Sequence, residues 1–194
     1  VIAGSYSWPP FRAILPKIYS DFIHGSDRTF CAATASASSS SSQCDFLLVY
    51  VEEAHAEDEW PISSGRFNRG RGPVHISQPT STQERINVAK QFLRNFDIPI
   101  DIPIDIPINV PINVPINVPN DDGSNDDVSK SQSQLRVVCD VPELGNLFEK
   151  AYAPWPLRLY VIENGKMTYI AQPKNCTYDV NELREFLIQR CLRS

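Results

Sequence analysis

The stretch Asp45–Val51 reads D-F-L-L-V-Y-V, and E-E-A-H follows it at once at positions 52–55. A short, almost uncharged run of this kind predicts a strand covered on both faces, as central parallel strands are. Similar runs recur at Leu135–Val141 (L-R-V-V-C-D-V) and Leu157–Ile162 (L-R-L-Y-V-I). The sequence therefore predicts a buried sheet with helices on its faces.

The segments between these runs have helical spacing. Apolar residues at 11, 14, 15, 18, 19 and 22 predict a helix over Phe11–Phe22, which the proline at position 16 should kink. A second helix is predicted over Ser81–Phe96, where a serine precedes a glutamate by three positions, as in a capping box. Two further helices are predicted, a short one over Glu143–Tyr152 and an amphipathic one over Val180–Leu192.

The order of these elements predicts an α/β fold with a mixed, mostly parallel sheet. After the strand at 157–162, the turn Glu163–Lys166 (E-N-G-K) predicts a hairpin that returns as Met167–Ala171. This arrangement resembles the thioredoxin fold. The resemblance implies a cis Trp155–Pro156 bond with Pro156 facing the site, and a reactive group in the turn Gly4–Phe11, where a helix N-terminus favours an anion.

Two segments lie outside this pattern. Residues Ala32–Gln43 are mostly serine and alanine and predict a flexible loop. Residues Asp97–Gln134 repeat D-I-P-I and then N-V-P-I, with a proline every fourth residue from 99 to 119, and end in a polar tail. Such prolines predict an extended, polyproline-like insertion followed by disorder. We therefore expect one domain over 1–194, interrupted at 32–43 and at 97–134.

Composition excludes several classes of protein. The chain has 194 residues, a net charge of −5 and no basic run, so nucleic-acid binding is not expected. No apolar stretch reaches the roughly 18 residues that span a bilayer. The five cysteines form no C-x-x-C pair, so neither a zinc site nor a dithiol redox motif is expected. Because the chain begins at Val1 and its only methionine is Met167, we expect a piece of a longer protein.

Specific motifs then point to one family. Val49–His55 (V-Y-V-E-E-A-H), with Asp58 and Trp60, closely resembles the V-Y-I-E-E-A-H-x-x-D-G-W signature of iodothyronine deiodinases. The opening Gly4–Phe11 is similar to the family's G-S-C-T-selenocysteine-P-P-F. Further matches fall in the family's order, at Glu84-Arg85, Tyr152-Ala153, Pro156 and Arg158–Ile162. The resemblance covers nearly all of the chain outside the two interruptions.

The departures from the family pattern concern the reactive position itself. Trp8 stands where the family has its selenocysteine nucleophile. Other differences are Tyr6 for a cysteine, Ser7 for a threonine, Glu59 for a glycine and Pro79 for a second histidine, with His75 four residues away. An indole is neutral and cannot attack iodine, so the polypeptide as written should lack deiodination.

Two hypotheses account for Trp8. Selenocysteine is encoded by UGA, which some genetic codes and translation procedures read as tryptophan, so Trp8 is a misread selenocysteine under the first hypothesis. The chain would then be an oxidoreductase that removes iodine from iodothyronines such as thyroxine. Under the second, Trp8 is genuine, and the chain is a catalytically inactive thioredoxin-like module that binds a small aromatic ligand or a protein partner.

The resemblance implies roles for individual residues. Position 8 is the nucleophile, and Ser5 and Ser7 hold it by hydrogen bonds. Tyr50, Glu53 and His55 form a proton-handling network beside the substrate, for which histidine is suited because its charge changes near neutral pH. Arg158 pairs with the carboxylate or phenolate of the hormone.

The glutamate pair adds a geometric constraint. Glu52 and Glu53 are adjacent in an extended segment, so their side chains should point to opposite faces of it. Only one of them can face the site, and we expect the other to be solvated.

The resemblance also implies partners. The substrate is an iodothyronine or another halogenated phenol, and a thiol reductant serves as cosubstrate, with no bound cofactor or metal. Family members form homodimers and carry an N-terminal membrane anchor. We therefore expect anchoring of the full-length protein, with the present residues forming a soluble domain.

Overall fold

The computed structural model describes residues 1–25, 44–99, 104–105, 135–174 and 178–191. The predicted loop at 32–43 and most of the predicted insertion at 97–134 lie outside the described residues. Three of the five cysteines, Cys31, Cys176 and Cys191, are among those whose side chains are not described.

Six strands form one mixed sheet in the described residues. They are β1 (Ile2–Gly4), β2 (Phe46–Tyr50), β3 (Ile104–Asp105), β4 (Leu135–Cys139), β5 (Leu157–Glu163) and β6 (Lys166–Ile170). Their order across the sheet is β3-β4-β2-β1-β5-β6. Strands β1 to β4 pair in parallel, and β5 and β6 add an antiparallel edge. The predicted mixed, mostly parallel sheet is confirmed.

Strand β2 occupies the centre of this sheet, between β1 and β4. Val49 pairs with Ala3 on one side and with Val138 on the other. Leu48, Val49 and Tyr50 are fully buried, as the apolar run at 45–51 predicts. The C-terminal end of β2 therefore emerges in the middle of the sheet, beside the end of β1.

In the described residues, four α-helices flank the sheet: α1 (Pro9–Ile18), α2 (Thr82–Asn95), α3 (Leu147–Tyr152) and α4 (Val180–Cys191). The larger core cluster contains the inward side chains of α1, α2 and α4 together with one face of the sheet. A smaller cluster on the other face joins α3 to Ala3, Val49, Val51 and Tyr160. Helices thus cover both faces, in a thioredoxin-like α/β arrangement.

The first helix differs from its prediction in length and type. It begins at Pro9, because the first helical positions need no amide donor. After Ile18 the chain continues as a turn of π-helix over Tyr19–Ile23. Pro16, which has no amide N–H to donate, lies just upstream of this change. The prediction of one regular helix over Phe11–Phe22 was therefore wrong.

The third predicted helix is also divided. Residues Pro142–Leu144 form a 3-10 turn, and α3 begins only at Leu147. Gly145 and Asn146 between them have φ angles of 74° and 55°, a left-handed conformation that ends the first turn. The continuous helix predicted over Glu143–Tyr152 was therefore wrong at this break.

Two residues of the predicted insertion belong to the sheet. Ile104 and Asp105 pair in parallel with Val137 and Val138 of β4. β3 is an edge strand, where a neighbouring proline need not supply a ladder donor. The prediction that the prolines keep this segment out of the sheet was wrong at these two positions.

Two local predictions near β5 are confirmed. The Trp155–Pro156 peptide bond is cis. Asn164 and Gly165, between β5 and β6, have φ angles of 51° and 73°, which are the left-handed values of a two-residue hairpin turn. Leu157 of β5 pairs with Gly4 of β1, so Pro156 lies next to the end of β1.

Within the described ranges, no helix combines the length and the apolar character needed to cross a bilayer.

The capping box of α2 is present and can be tested. The Ser81 Oγ accepts from the Glu84 N–H at 3.3 Å, and the Glu84 carboxylate accepts from the Ser81 N–H at 3.2 Å. Ser81→Ala should lower the free energy of unfolding by about 0.5–2 kcal/mol, because one helix donor loses its partner. Urea denaturation measures this loss, and Ser63→Ala, in an exposed loop, is the matched control. Equal stability of the two variants would contradict the capping role.

Candidate functional site

The turn between β1 and α1 holds residue 8 at the start of the helix. Trp8 has extended backbone angles (φ −80°, ψ 113°), and its carbonyl accepts from the N–H groups of Phe11 at 3.1 Å and Arg12 at 3.3 Å. Its side chain is half-buried against the larger core cluster. The predicted reactive position therefore lies at a helix N-terminus.

Hydrogen bonds tie this turn to the segment that follows β2. The Ser5 Oγ accepts from the Ala54 N–H at 3.2 Å, and the Ser7 Oγ accepts from the His55 N–H at 2.9 Å. Both serines are buried. They bind the backbone of the E-E-A-H segment and so fix it against the residues that precede Trp8.

Glu53 is the centre of this network. Its carboxylate is 2% exposed and accepts from the Ser7 N–H at 2.7 Å and from the Tyr50 hydroxyl. The Tyr50 oxygen in turn accepts from the Tyr6 N–H at 2.9 Å. Burial raises the pKa of Glu53, and the hydrogen bonds from Ser7 and Tyr50 oppose this rise. Burial also raises the pKa of Tyr50 well above its usual value, so its hydroxyl stays a donor.

His55 faces residue 8. Its ring stacks on the Trp8 indole with centroids 5.3 Å apart and planes at 26°, and the Trp60 ring meets it edge-on at 5.2 Å. The His55 Nδ1 lies 3.0 Å from the Trp60 carbonyl oxygen. A carbonyl can only accept, so Nδ1 carries a proton, and Nε2 of the neutral ring is left as the acceptor. Residues 8, 50, 53 and 55 thus lie close together in the structure.

Sequence reasoning missed Gln78. Its side chain accepts from the Glu53 N–H at 2.8 Å and donates to the Glu53 carbonyl at 3.1 Å. The sequence pointed to this position only indirectly: Gln78 precedes Pro79, which stands where the family has its second histidine. His75 is not part of the site: it is exposed, with its Nδ1 2.5 Å from the Glu57 carboxylate.

Tyr6, which stands where the family has a cysteine, is a buried anchor of the turn. Its hydroxyl donates to the Asn68 Oδ1 and accepts from the Asn95 amide, each at 2.8 Å. The ring also packs against Phe92 of α2 and against Phe96, the residue that caps the end of that helix. Tyr6 therefore holds the turn, the loop around Asn68 and α2 together.

Among the described residues no cluster of three metal-ligating side chains occurs.

Arg158 lies apart from these residues. It is on β5 and lines a cleft of about 390 Å³ with Tyr152, Tyr160 and Met167. None of the side chains around Trp8 and His55 lines this cleft. Its pairing with a substrate carboxylate or phenolate stays a prediction.

Glu52 and Glu53 do point to opposite faces, but Glu52 is not solvated. It is half-buried, and its Oε2 accepts from the Asn146 amide at 2.8 Å. Asn146 also accepts from the buried Arg85 at 2.7 Å. The prediction of a solvated carboxylate was wrong because Asn146, which is 94 positions away in the chain, folds against it.

A carboxyl pair forms on this second face. Burial raises the pKa of Glu149 to about 7, and the neighbouring carboxylates of Glu52 and Asp140 add to the rise, while Arg85 opposes it. The Glu149 Oε2 is buried and has no hydrogen-bond partner among the described residues. Two carboxyls in one such site cannot both ionise cheaply, so one proton is retained near neutral pH.

Comparison with known proteins finds similarity to one family. The sequence profile described as iodothyronine deiodinase matches residues 35–108. The chain is 25% identical over 187 residues to the type II iodothyronine deiodinase of Homo sapiens, covering 95% of this chain and 48% of that protein. It is 26% identical over 125 residues to the type I iodothyronine deiodinase of Xenopus laevis, covering 64% of this chain and 31% of that protein.

A third relative is the thyroxine 5-deiodinase of Sus scrofa, which is 24% identical over 143 residues, or 74% of this chain and 32% of that protein. The chain spans about a third to a half of the length of these curated relatives. The predicted resemblance to the iodothyronine deiodinase family is confirmed.

The Tyr50 hydroxyl is the first part of the network to test. Tyr50→Phe should lower the free energy of unfolding by about 1–3 kcal/mol, because it leaves the buried Glu53 carboxylate and the Tyr6 N–H each short of one partner. Urea denaturation gives the value. Tyr19→Phe, which alters a half-buried tyrosine on the π-helical turn, is the control. A Tyr50→Phe protein as stable as that control would contradict the network.

The carboxyl pair predicts a pH dependence of stability. Between the ordinary pKa of 4.5 and about 7, folded Glu149 keeps a proton that the unfolded chain has released. The free energy of unfolding should therefore fall as the pH rises through this range. Glu149→Gln should flatten the dependence and raise the melting temperature above pH 7, whereas Glu185→Gln, on the exposed side of α4, should not. Identical pH profiles for wild type and Glu149→Gln would contradict the pairing.

Proposed function

We propose that this chain is the reaction domain of a deiodinase-type oxidoreductase whose nucleophile is a selenol at position 8. The family resemblance and the arrangement around Trp8 support this proposal. The observation that carries it is the set of contacts at one point: the His55 ring stacks on residue 8, and Glu53 binds the backbone of the residue before it. A selenol there would stand at a helix N-terminus, which favours its anion.

The proposed reaction removes iodine from an aromatic ring. The selenolate attacks iodine, the carbon–iodine bond breaks, and the ring carbon takes up a proton as selenium accepts the iodine. Two thiols of a reductant then supply two electrons, releasing iodide and restoring the selenol while they form a disulfide. The atoms and charges balance without a metal or a bound cofactor.

His55 is the proposed proton donor. Its Nδ1 is held by the Trp60 carbonyl, so Nε2 is the nitrogen that can carry a second proton and deliver it. Tyr50 and Glu53 are too deeply buried to exchange protons freely with solvent. Their proposed role is to hold the turn at residues 5–8 and the 53–55 segment in register, so that His55 and residue 8 stay in contact.

The proposed substrate is an iodothyronine such as thyroxine, or another halogenated phenol. The proposed cosubstrate is a thiol. Arg158 is proposed to bind the acidic group of the substrate, a homodimer is proposed for the assembly, and an N-terminal membrane anchor is proposed for the full-length protein. These five points rest on the family resemblance alone.

A second candidate function applies if Trp8 is genuine. The indole of Trp8 and the imidazole of His55 then form a stacked pair, which the Trp60 ring meets edge-on. Trp60 is 63% exposed, so this aromatic cluster opens to solvent. Such a surface suits the face of a planar aromatic ligand, and the chain would be a catalytically inactive binding module.

Position 8 decides between the two. The native protein should give a tryptic peptide whose mass and isotope pattern include selenium at position 8. A recombinant chain with selenocysteine at that position should release iodide from a labelled iodothyronine in the presence of a thiol, and Trp8→Cys should do so more slowly. The chain with tryptophan should release none. A native peptide with the mass of tryptophan, or a selenol-containing chain that binds hormone and frees no iodide, would exclude the enzyme.

The role of His55 can be tested in the active version. His55→Ala should lower iodide release by about 10²- to 10⁴-fold, because the ring carbon loses its proton donor. His75→Ala removes an exposed histidine outside the site and should leave turnover unchanged. Circular dichroism checks that both variants fold. Turnover of His55→Ala equal to that of His75→Ala would show that the assigned role is wrong.

A further inference from the structure

The loop at 53–60 carries His55 and also supplies the group that binds its ring. The Trp60 carbonyl oxygen, at the end of this loop, lies 3.0 Å from the His55 Nδ1. The N–H groups of Glu59 and Trp60 both donate to the Ala56 carbonyl, at 3.2 and 3.1 Å, so these residues form one turn. The position of the Trp60 carbonyl therefore depends on how that turn is held.

One side chain, that of Gln78, contacts both ends of this loop. Its amide oxygen accepts from the Glu53 N–H at 2.8 Å, and its Nε2 donates to the Glu53 carbonyl at 3.1 Å. The same Nε2 donates to the Glu59 carboxylate at 3.0 Å. An amide nitrogen has two N–H groups, so Gln78 uses one at each end of the loop.

The orientation of the Gln78 amide follows from these partners. If its oxygen and nitrogen were exchanged, two donors would face each other at the Glu53 N–H, and two acceptors would face each other at Glu59. The three hydrogen bonds therefore form together or are lost together.

The backbone beside Gln78 contacts the same turn. The Gln78 N–H donates to the Asp58 carboxylate at 2.8 Å, and the Ile76 carbonyl accepts from the Glu57 N–H at 2.9 Å. Neither of these two bonds involves Glu53. Among the described residues, the Gln78 side chain alone makes hydrogen bonds to both ends of the loop.

Glu59 makes this connection a feature of the present chain. It stands where the deiodinase signature has a glycine, which has no side chain to accept a hydrogen bond. The bond from the Gln78 amide to this carboxylate is charge-assisted, and such bonds are stronger than those between neutral groups. With glycine at position 59, Gln78 would hold the loop at Glu53 alone.

We infer that Gln78 is a positioning residue for His55. By holding Glu53 and Glu59 together, its amide keeps the Trp60 carbonyl on Nδ1, so the neutral ring carries its proton there and leaves Nε2 as the acceptor. If the loop loosened, the proton would exchange between the two ring nitrogens. The catalytic meaning of this rests on the proposed function, in which His55 delivers a proton from Nε2.

The tautomer of His55 tests this inference without turnover, in the recombinant chain with tryptophan at position 8. Long-range proton–nitrogen NMR at alkaline pH, where imidazoles are neutral, identifies the protonated nitrogen in each of the three histidines. The His55 signals are assigned by their loss in His55→Ala. The unmodified chain should show the proton on Nδ1. Gln78→Met, of similar length without the amide, should show a mixture of the two tautomers.

Three further variants separate positioning from a general loss of stability. Glu59→Ala changes an exposed side chain, so it should fold normally and still shift His55 toward the mixture. Gln83→Met is the matched control: the Gln83 amide, on α2, donates to Asn87 at 3.1 Å, outside the loop, and His55 should not change. Gln78→Glu with Glu59→Gln lets an amide at 59 donate to a carboxylate at 78, and should restore much of the Nδ1 form.

The turnover of the selenol-containing chain gives a second measurement. Gln78→Met should lower iodide release by about tenfold or more, because the proton donor loses its alignment. A His55 that keeps its Nδ1 proton in Gln78→Met or in Glu59→Ala, or that changes equally in Gln83→Met, would overturn the inference. If Gln78→Met does not fold, Glu59→Ala decides by itself.

The outcomes for the two proposals are separable. If position 8 proves to be tryptophan, the His55 tautomer still responds to Gln78, and only the proposed reaction falls. If the tautomer does not respond, iodide release by the selenol-containing chain is unaffected as evidence for the reaction.

Discussion

The hydrogen bonds accepted by the buried Glu53 carboxylate hold the site together. One oxygen binds the Ser7 N–H and the other binds the Tyr50 hydroxyl, so one side chain joins the β1–α1 turn to the end of β2. Without this carboxylate, a buried backbone N–H and a buried hydroxyl would each lack an acceptor, which costs more than the bonds gain. The contact of His55 with residue 8 depends on this connection.

The adjacent Glu52 and Glu53 connect the two faces of the sheet end. Glu53 binds the β1–α1 turn through the Ser7 N–H, while Glu52 binds Asn146 at the start of α3. Arg12 of α1 and Arg85 of α2 are also buried, and each donates to a backbone carbonyl, that of Ser64 and that of Asp140 respectively. The two neighbouring carboxylates thus join different segments because their side chains point apart.

The scaffold around position 8 does not depend on the chemistry of residue 8 itself. The serine hydroxyls, Glu53 and Tyr50 bind the backbone of the turn and of the 54–55 segment. A selenol and an indole can therefore occupy the same place with the same supporting bonds.

The sequence by itself determined the sheet, its central strand, the capped helix α2 and the N-G hairpin, because these follow from local periodicity and turn residues. The grouping of residue 8 with Tyr50, Glu53 and His55 came from the family resemblance. The tertiary structure alone decided the contacts of Gln78 with Glu53, of Asn146 with Glu52 and of Arg12 with its surroundings, and the pairing of Ile104–Asp105 with β4. These contacts join residues more than 20 positions apart. No local pattern encodes them, since an arginine or an amide side chain in a sequence predicts an exposed position, and only the fold shows that it is buried.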